Sequence, residues 1–163
     1  MQQVKLVAEL PEHEAGVDTV LGRAFGPGRH AKTSARVRER GAVAAPRLSR
    51  VALSGNGEVI GVCRIWRVEA GAPCYFMGPL AVDPTARNRG LGLTLARDAT
   101  AACRASGEAG GIIVVGAEKF FAPLGFAMAP KGRLLLPGPV NPARLLWLEL
   151  RPGGLDKLQG MIG

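Results

Sequence analysis

Aromatic side chains are scarce in this chain, where they make up 5% of 163 residues and Tyr75 is the single tyrosine. A surface that binds single strands by stacking needs several aromatic rings, so we expect no nucleic-acid partner. Cysteine is also sparse: the chain has Cys63, Cys74 and Cys103, with no C-x-x-C spacing among them. This pattern predicts neither a metal site nor a disulfide framework. Because the N-terminus also has no basic segment followed by an apolar one, we expect a cytoplasmic protein.

Long hydrophobic runs are missing as well. The longest uninterrupted apolar runs are far too short to span a bilayer, so we expect no membrane insertion. A hydrophobic fraction of 47% is enough for one core, and the chain has neither an internal repeat nor a low-complexity linker. We therefore predict a single domain over residues 1–150, followed by a short appendage over residues 151–163.

The most informative motif is R-x-x-G-x-G, which follows an apolar, strand-like run and opens a run with helical spacing. Its two glycines let the backbone approach a ligand closely, and the first turn of the helix leaves N–H groups without partners. These donors and the positive end of the helix dipole can hold an anion such as a pyrophosphate. The residues that we predict to form this site are Arg87, Asn88, Arg89, Gly90, Leu91 and Gly92.

Two other phosphate-binding motifs do not fit the same stretch. A dinucleotide fingerprint that starts at Gly90 would need glycine where Leu95 stands, and no acidic ribose partner is evident in the strand that follows. A P-loop would need a pattern of glycine, lysine and a hydroxyl residue that surrounds neither Gly90 nor Gly116. The motif is therefore R-x-x-G-x-G after a strand.

Apolar spacing and turn residues predict a mixture of helices and strands around this motif. The Asn56-Gly57 pair between two β-rich runs is a strong hairpin signal. The predicted elements, in chain order, are a helix from near Pro11 to Phe25, a short helix within residues 29–40, a hairpin of residues 50–53 and 59–68, a strand over residues 74–82, a helix from Leu91 towards a cap at Gly107, a strand over residues 112–115, a short helix over residues 117–121, and strands from Phe126 and over residues 145–150.

Gly78 and Pro79 interrupt the strand that precedes the motif. Proline cannot donate to a sheet ladder, so we predict a bulge that turns backbone groups of Leu80 and Val82 towards an open slot. An extended ligand that carries amides can pair with this slot as an added strand. The strand, the helix and residues 112–115 form a βαβ unit, which places a ligand at the carboxyl ends of its parallel strands.

Residues 78–84 and 87–92 resemble the acetyl-CoA motif of the GNAT superfamily of N-acetyltransferases. Residues 120–126, FFAPLGF, are similar to the segment of that family that ends in Gly-Phe, and the order and separation of the two segments also match. The resemblance covers residues 4–150 and is strongest over residues 75–126. It implies an α/β (α+β) fold, with a mixed, mostly antiparallel central sheet, a splayed parallel strand pair, and helices on both faces.

The resemblance also implies an acetyl-CoA-dependent enzyme that moves an acetyl group directly to a primary amine of a small molecule or a protein. Coenzyme A is a polyanion and would account for the formal net charge of +8, since the basic residues are scattered apart from one modest cluster of Arg36, Arg38 and Arg40. Beyond the phosphate motif, the residues that the resemblance assigns to coenzyme A are Leu80, Ala81, Val82, Phe120 and Phe121.

The chain departs from the family at the proton donor. Many members carry tyrosine four residues before the glycine of the Gly-Phe segment, where this chain has Phe121, and phenylalanine cannot donate a proton. Family members often place a glutamate on the strand ahead of the bulge, but residues 74–82 contain no carboxylate. The remaining catalytic candidates are Glu69 and Glu118 as the base, with His30 as an alternative base, and Tyr75 as the acid.

Four residues are candidates for the acceptor side of the site. Arg64 and Trp66 alternate on one face of a predicted strand, where an arginine can bind a carboxylate and an indole can form a wall. Phe25 ends the first predicted helix, and His30 lies in the basic segment that usually lines the acceptor side in the family.

Two other functions stay open at this point. Phe120 and Phe121 at the acid position are compatible with a non-catalytic module that binds or senses acyl-CoA. The basic charge is compatible with an acyltransferase that takes its group from an acidic acyl carrier protein. The sequence specifies neither the acceptor nor the oligomeric state, so a homodimer is an open alternative.

Overall fold

The computed structural model describes residues 3–26, 33–87 and 89–163, including ten strands and four helices within those ranges. The strands are β1 (Lys5–Ala8), β2 (Val43–Ala44), β3 (Arg50–Leu53), β4 (Val59–Glu69), β5 (Pro73–Val82), β6 (Gly111–Val115), β7 (Ala127–Met128), β8 (Leu134–Leu135), β9 (Leu145–Glu149) and β10 (Gly160–Met161). The helices are α1 (Glu14–Phe25), α2 (Thr33–Glu39), α3 (Leu91–Ser106) and α4 (Glu118–Phe121).

Within the described ranges, one mixed sheet of eight strands has the order β1-β3-β4-β5-β6-β9-β7, and β2 pairs with β4 beside it. The pair β5 and β6 is parallel, whereas every other neighbouring pair of this sheet is antiparallel. A second, two-stranded sheet is formed by β8 and β10. The predicted mixed, mostly antiparallel sheet with one parallel pair is therefore confirmed.

Helices cover both faces of the main sheet because the side chains of its strands alternate. Along β5, Tyr75 and Met77 belong to the core under α3, and Phe76 belongs to the core on the opposite face. Helix α3 contributes the fully buried Leu95 to the first core, and α1 packs Val17 against β3 and β4 on the opposite face. None of the helices in the described part of the chain is long and apolar enough to cross a bilayer.

Local signals placed most of these elements correctly. The predicted hairpin is confirmed, because β3 pairs antiparallel with β4 across the turn that contains Asn56 and Gly57. Helix α3 ends at Gly107, which has a left-handed backbone with φ 66° as its predicted capping role requires. The predicted first helix begins with a 3₁₀ turn at Pro11–His13 before α1. The short strands β1, β2, β8 and β10 were not predicted from the sequence.

The last thirteen residues pack against the rest of the chain. Leu158 and Ile162 are buried in the same cluster as Phe76, and β10 pairs with β8. The guanidinium of Arg133 donates hydrogen bonds to the carbonyl oxygens of Leu158 (2.7 Å) and Asp156 (2.8 Å). These contacts tie residues 151–163 to the face of the sheet opposite α3.

Candidate active site

The central strands separate where the sequence predicted a bulge. The parallel pairing of β5 with β6 ends at Met77 and Val114, and the next residue of β6, Val115, pairs only with β9 on the other edge of that strand. On the other side of β5, Gly78 and Pro79 together face Arg64 of β4, between the pairs Ile65–Met77 and Cys63–Leu80. Two residues opposite one is the definition of a β-bulge, so the predicted bulge is confirmed. In the described part of the chain, no strand lies beside the last five residues of β5 on the β6 side.

Backbone groups of β5 point into the gap that this separation leaves. The N–H of Asp83 donates to the carbonyl of Ile60 at 2.8 Å, which continues the antiparallel ladder beyond β4 and β5. Groups alternate along such a ladder, so Ala81 faces β4 while Leu80 and Val82 turn their N–H and C=O groups towards the gap. The carbonyl of Val82 accepts a long hydrogen bond of 3.4 Å from Nε of Arg87.

Trp66 fixes the bulge from the neighbouring strand. Its Nε1–H donates to the carbonyl oxygen of Gly78 at 2.7 Å, and its half-buried ring lines the space beside the bulge. Backbone groups at a bulge lose their ladder partners, so an indole donor satisfies a carbonyl that would otherwise need water. The side chain that was predicted as a pocket wall thus also holds the backbone of the site.

The N-terminus of α3 faces the same space, and no side chain of the described residues caps it. Its N-cap is Gly90, with φ 69° and ψ 14°, and its first turn contains no acidic residue. The amide of Thr94 is the first to bond within the helix, to the carbonyl of Gly90 at 3.1 Å. The amides of Leu91, Gly92 and Leu93 therefore have no acceptor among the described residues. Three converging donors at a positive helix end suit a phosphate group.

Gly92 keeps this helix end accessible. A Cβ built on Gly92 would lie 3.6 Å from Cζ of Phe120 and 3.7 Å from Cγ2 of Val82, which is ordinary van der Waals contact. The phosphate motif and the open side of β5 thus meet at one wall. Asn88, which was predicted to take part, lies outside the described residues.

A cleft of about 1020 Å³ joins these parts. We call it the central cleft. One side is formed by the end of β5, the start of α3, and α4, and the other by α1, α2 and residues 139–144. The predicted site residues that line it are Phe25, Arg64, Trp66, Leu80, Ala81, Val82, Arg87, Gly92, Phe120 and Phe121. Three residues of the predicted phosphate motif do not line the cleft, although they lie between Arg87 and Gly92 in the sequence: Arg89, Gly90 and Leu91. His30 lies outside the described residues.

Phe121 is held rigidly at the position where the family often has a proton donor. Its ring is 5% exposed and makes edge-to-face contacts with Phe120 (centroids 4.8 Å apart) and Phe126 (5.4 Å). Such pairs prefer this arrangement because the positive ring edge meets the negative face. The ring is therefore part of the core as well as of the cleft wall.

The three catalytic candidates do not line the central cleft. The hydroxyl of Tyr75 is hydrogen-bonded to Oγ of Ser106 at 2.7 Å under α3, and burial raises its pKa. Tyr75 and Glu69 line a second, smaller groove of about 310 Å³ at the other end of β4 and β5. Glu118 is exposed on α4. Tyr75 lies near the start of β5, so the strand itself separates its ring from the bulge at Gly78 and Pro79.

Arg64 lies in the cleft but already has a carboxylate partner. Its Nε and Nη2 donate to the two carboxylate oxygens of Glu9, at 3.1 Å and 3.0 Å, in a bidentate pair. The cleft also holds Arg38, which was noted in the sequence only as part of a basic cluster. Burial and the nearby charge of Arg64 lower the pKa of Arg38 to about 10.

The three thiols are far from reactive. Cys63, Cys74 and Cys103 are free and buried. Burial raises the pKa of Cys74 and of Cys103 to about 12, and that of Cys63 further still. A thiol of this kind stays protonated at neutral pH and is a poor nucleophile. Within the described residues, no three His, Cys, Asp or Glu side chains are grouped so that they could hold a metal ion.

Two features meet in the central cleft: a bulged strand that diverges from its parallel neighbour, and a helix N-terminus whose first amides have no acceptor in the described residues. Together they define a class of α/β proteins that can hold an extended, phosphorylated ligand by main-chain groups. The profile of the acetyltransferase (GNAT) family matches residues 17–126, which is more than half of the chain. The chain therefore belongs to the GNAT family and is an acyltransferase of that class, as its sequence motifs predicted.

Solved structures agree with this assignment. The chain is 25% identical to YhbS, a GNAT family N-acetyltransferase from Escherichia coli solved in complex with CoA, with a TM-score of 0.78 over 99% of this chain and 88% of that one. It is also 25% identical to a GNAT family acetyltransferase from Brucella melitensis in complex with acetyl-CoA, with a TM-score of 0.63 over 88% and 94% of the two chains.

A third neighbour shares the fold at lower identity. The ribosomal-protein-S18-alanine N-acetyltransferase from Escherichia coli is 16% identical, with a TM-score of 0.61 over 92% of this chain and 94% of that one. No curated protein matches the chain at a significant level.

Proposed function

We propose that this chain binds acetyl-CoA in the central cleft and moves its acetyl group directly to a primary amine. The observation that supports this most strongly is that two sets of main-chain donors open to one cleft. These are the open edge of β5 at Leu80 and Val82 and the first turn of α3, which lines the cleft at Gly92. Their separation along the chain, across one strand end and one loop, suits a ligand with both an amide-bearing arm and a pyrophosphate.

Each part of the donor would have its own partners. The amides of Leu91, Gly92 and Leu93 would bind the pyrophosphate, with charge from Arg87 at the same wall. The open edge at Leu80 and Val82 would bind the pantetheine arm as an added strand. The two neighbours at 25% identity, which were solved with CoA and with acetyl-CoA, support this assignment of the cleft.

The chain's own contribution to the chemistry is positioning and main-chain hydrogen bonding. Holding an amine against a fixed acyl group can remove about 7–11 kcal/mol from the barrier. The N–H of Leu80 lies next to the bulge, where it can donate to a carbonyl oxygen that gains negative charge. Asp18 and Glu39, both exposed in the cleft, are the carboxylates that can accept the amine's proton through water.

Acetyl-CoA supplies the acetyl group as a thioester, and its leaving thiol has an ordinary pKa of about 8.5, so departure as a thiolate needs little help from an acid. This explains how Phe121 can occupy the position of a proton donor. It also predicts that no residue of the chain will prove essential as an acid.

The experiment combines calorimetry with a free-thiol assay. Coenzyme A is titrated into the protein, and thiol release from acetyl-CoA is followed with Ellman's reagent for a panel of small amines and peptides. The chain's three thiols are buried, so their background reaction should be slow. Binding together with amine-dependent thiol release is the expected result, and a protein that binds no coenzyme A would contradict the proposal.

A second candidate function is a module that binds acyl-CoA without turning it over. It is favoured by one observation: in the described residues, no tyrosine, histidine, cysteine or lysine lines the central cleft. Coenzyme A binding without thiol release for any amine of the panel would select this alternative.

We also propose a cytoplasmic location, which the free, buried thiols support. The acceptor in the proposed reaction is a small molecule or a protein.

A further inference from the structure

Arg38 occupies the acceptor side of the central cleft. It projects from α2, is half-buried, and lines the cleft together with Arg64 and Trp66. Its Nη1 lies 3.8 Å from the point where a Cβ of Gly78 would stand. A guanidinium group therefore lies directly beside the bulge that shapes the site.

This guanidinium has no carboxylate partner in the chain. All 13 Asp and Glu residues lie within the described ranges, and none of them is within 4.0 Å of Arg38. Arg64, its neighbour in the cleft, is instead paired with Glu9. Although its pKa is lowered to about 10, Arg38 keeps its charge at neutral pH. The charge of Glu39 offsets part of this effect from beyond ion-pair distance. A half-buried cation that no carboxylate contacts directly is costly unless something binds it.

We propose that Arg38 binds a carboxylate of the acceptor, so that the acceptor is a small amine of the amino-acid class. This inference rests on the proposed acetyl transfer and names its substrate class. A guanidinium fork matches the two oxygens of a carboxylate. Asp18 and Glu39 line the same cleft, where they favour an approaching ammonium group and disfavour a doubly charged phosphate.

The distances fit an acceptor of this size. Gly78 and Leu80 are two residues apart on β5, which corresponds to about 7 Å of extended strand. An amino acid whose carboxylate contacts Arg38 near Gly78 therefore places its amine close to the Leu80 amide. A small molecule is large enough to fill this space. The N-terminal residue of a protein could pair with Arg38 only if it carried a side-chain carboxylate.

The test measures binding independently of turnover. N-acetyl amino acids that cover the common side chains are titrated by calorimetry against the matching N-acetyl amino acid amides, with and without coenzyme A. We expect at least one acid to bind the wild type at least about tenfold more tightly than its amide. Arg38→Gln should bring the two affinities together, whereas Arg38→Lys should retain part of the preference.

Arg36→Gln is the matched control, because Arg36 is exposed on the same helix and does not line the cleft. It removes the same charge and should leave the preference unchanged. The proposal is overturned if no acid binds the wild type more tightly than its amide, if Arg38→Gln retains the preference, or if an N-acetyl aminoalkyl phosphonate binds better than the matching N-acetyl amino acid. Failure of the proposed function is seen separately, as absence of coenzyme A binding in the same titrations.

Discussion

Gly92→Asp should separate coenzyme A binding from folding. Gly92 is the second residue of α3, and its amide is one of three without an acceptor in the described residues. A Cβ fits there at ordinary contact distance from Phe120, so a side chain can begin at this position without displacing the neighbouring atoms. A carboxylate in the first turn interacts favourably with the helix dipole and places a negative charge where the pyrophosphate should bind.

The expected effects have opposite signs. Favourable interaction with the helix dipole is worth about 0.3–1 kcal/mol, and replacing glycine within a helix adds a few tenths more, so the free energy of unfolding should stay the same or rise. Two unit charges about 4 Å apart at an effective dielectric constant near 20 repel by about 4 kcal/mol. Allowing for partial solvent screening, we expect coenzyme A to bind about 100-fold more weakly.

The assay is calorimetric titration of coenzyme A together with thermal unfolding. Ala101→Asp is the control, because it adds the same charge at an exposed position of α3. It lies nine residues beyond Gly92, or about 14 Å along the helix, which exceeds the screening length of about 10 Å at 0.1 M salt. If Gly92→Asp binds coenzyme A within about threefold of the wild type while Ala101→Asp is also unchanged, the helix N-terminus does not hold the pyrophosphate.

Three further predictions concern the bulge, the acid position and the C-terminal segment. Trp66→Phe removes the 2.7 Å bond to Gly78 and should lower stability by about 1 kcal/mol in urea unfolding while raising KM for acetyl-CoA; an unchanged KM would show that the bond does not shape the site. Phe121→Tyr should not reduce kcat, and a large loss that the buried control Phe126→Tyr does not share would reveal a packing or substrate role for the ring. Leu158→Ala should cost about 2–5 kcal/mol in thermal or urea unfolding, because we propose that residues 151–163 belong to the folded unit; a cost under about 1 kcal/mol would contradict this.

The parts of the site that sequence reasoning located depend on local backbone chemistry. Pro79 cannot donate a hydrogen bond to a sheet ladder, and Gly90 adopts a left-handed backbone before a helix. Both residues indicate irregular backbone without reference to the rest of the fold. The alternating pattern of β5 also indicated which backbone groups would face the gap. These signals span only a few residues, which is why the bulge and the helix start were predictable, whereas the parallel pair followed from the order of strand, helix and strand.

The side chains of the acceptor side were not predictable in the same way. The pairing of Arg64 with Glu9 joins residues 55 positions apart and decides that Arg64 is neutralised. The resemblance placed the basic segment of residues 29–40 on the acceptor side, but its weak pattern did not show that Val37 is buried and that Arg38 beside it lines the cleft. The same holds for Tyr75, whose direction depends on which face α3 covers.

The most direct test of main-chain binding is an amide-resolved NMR titration with coenzyme A. We expect the N–H signals of Leu80 and Val82 on β5, and of Leu91, Gly92 and Leu93 on α3, to show the largest shifts on saturation. Amides around the second groove, such as those of Arg67 and Glu108, should stay in place. Large shifts at the second groove with none on β5 or α3 would contradict the assignment of the central cleft.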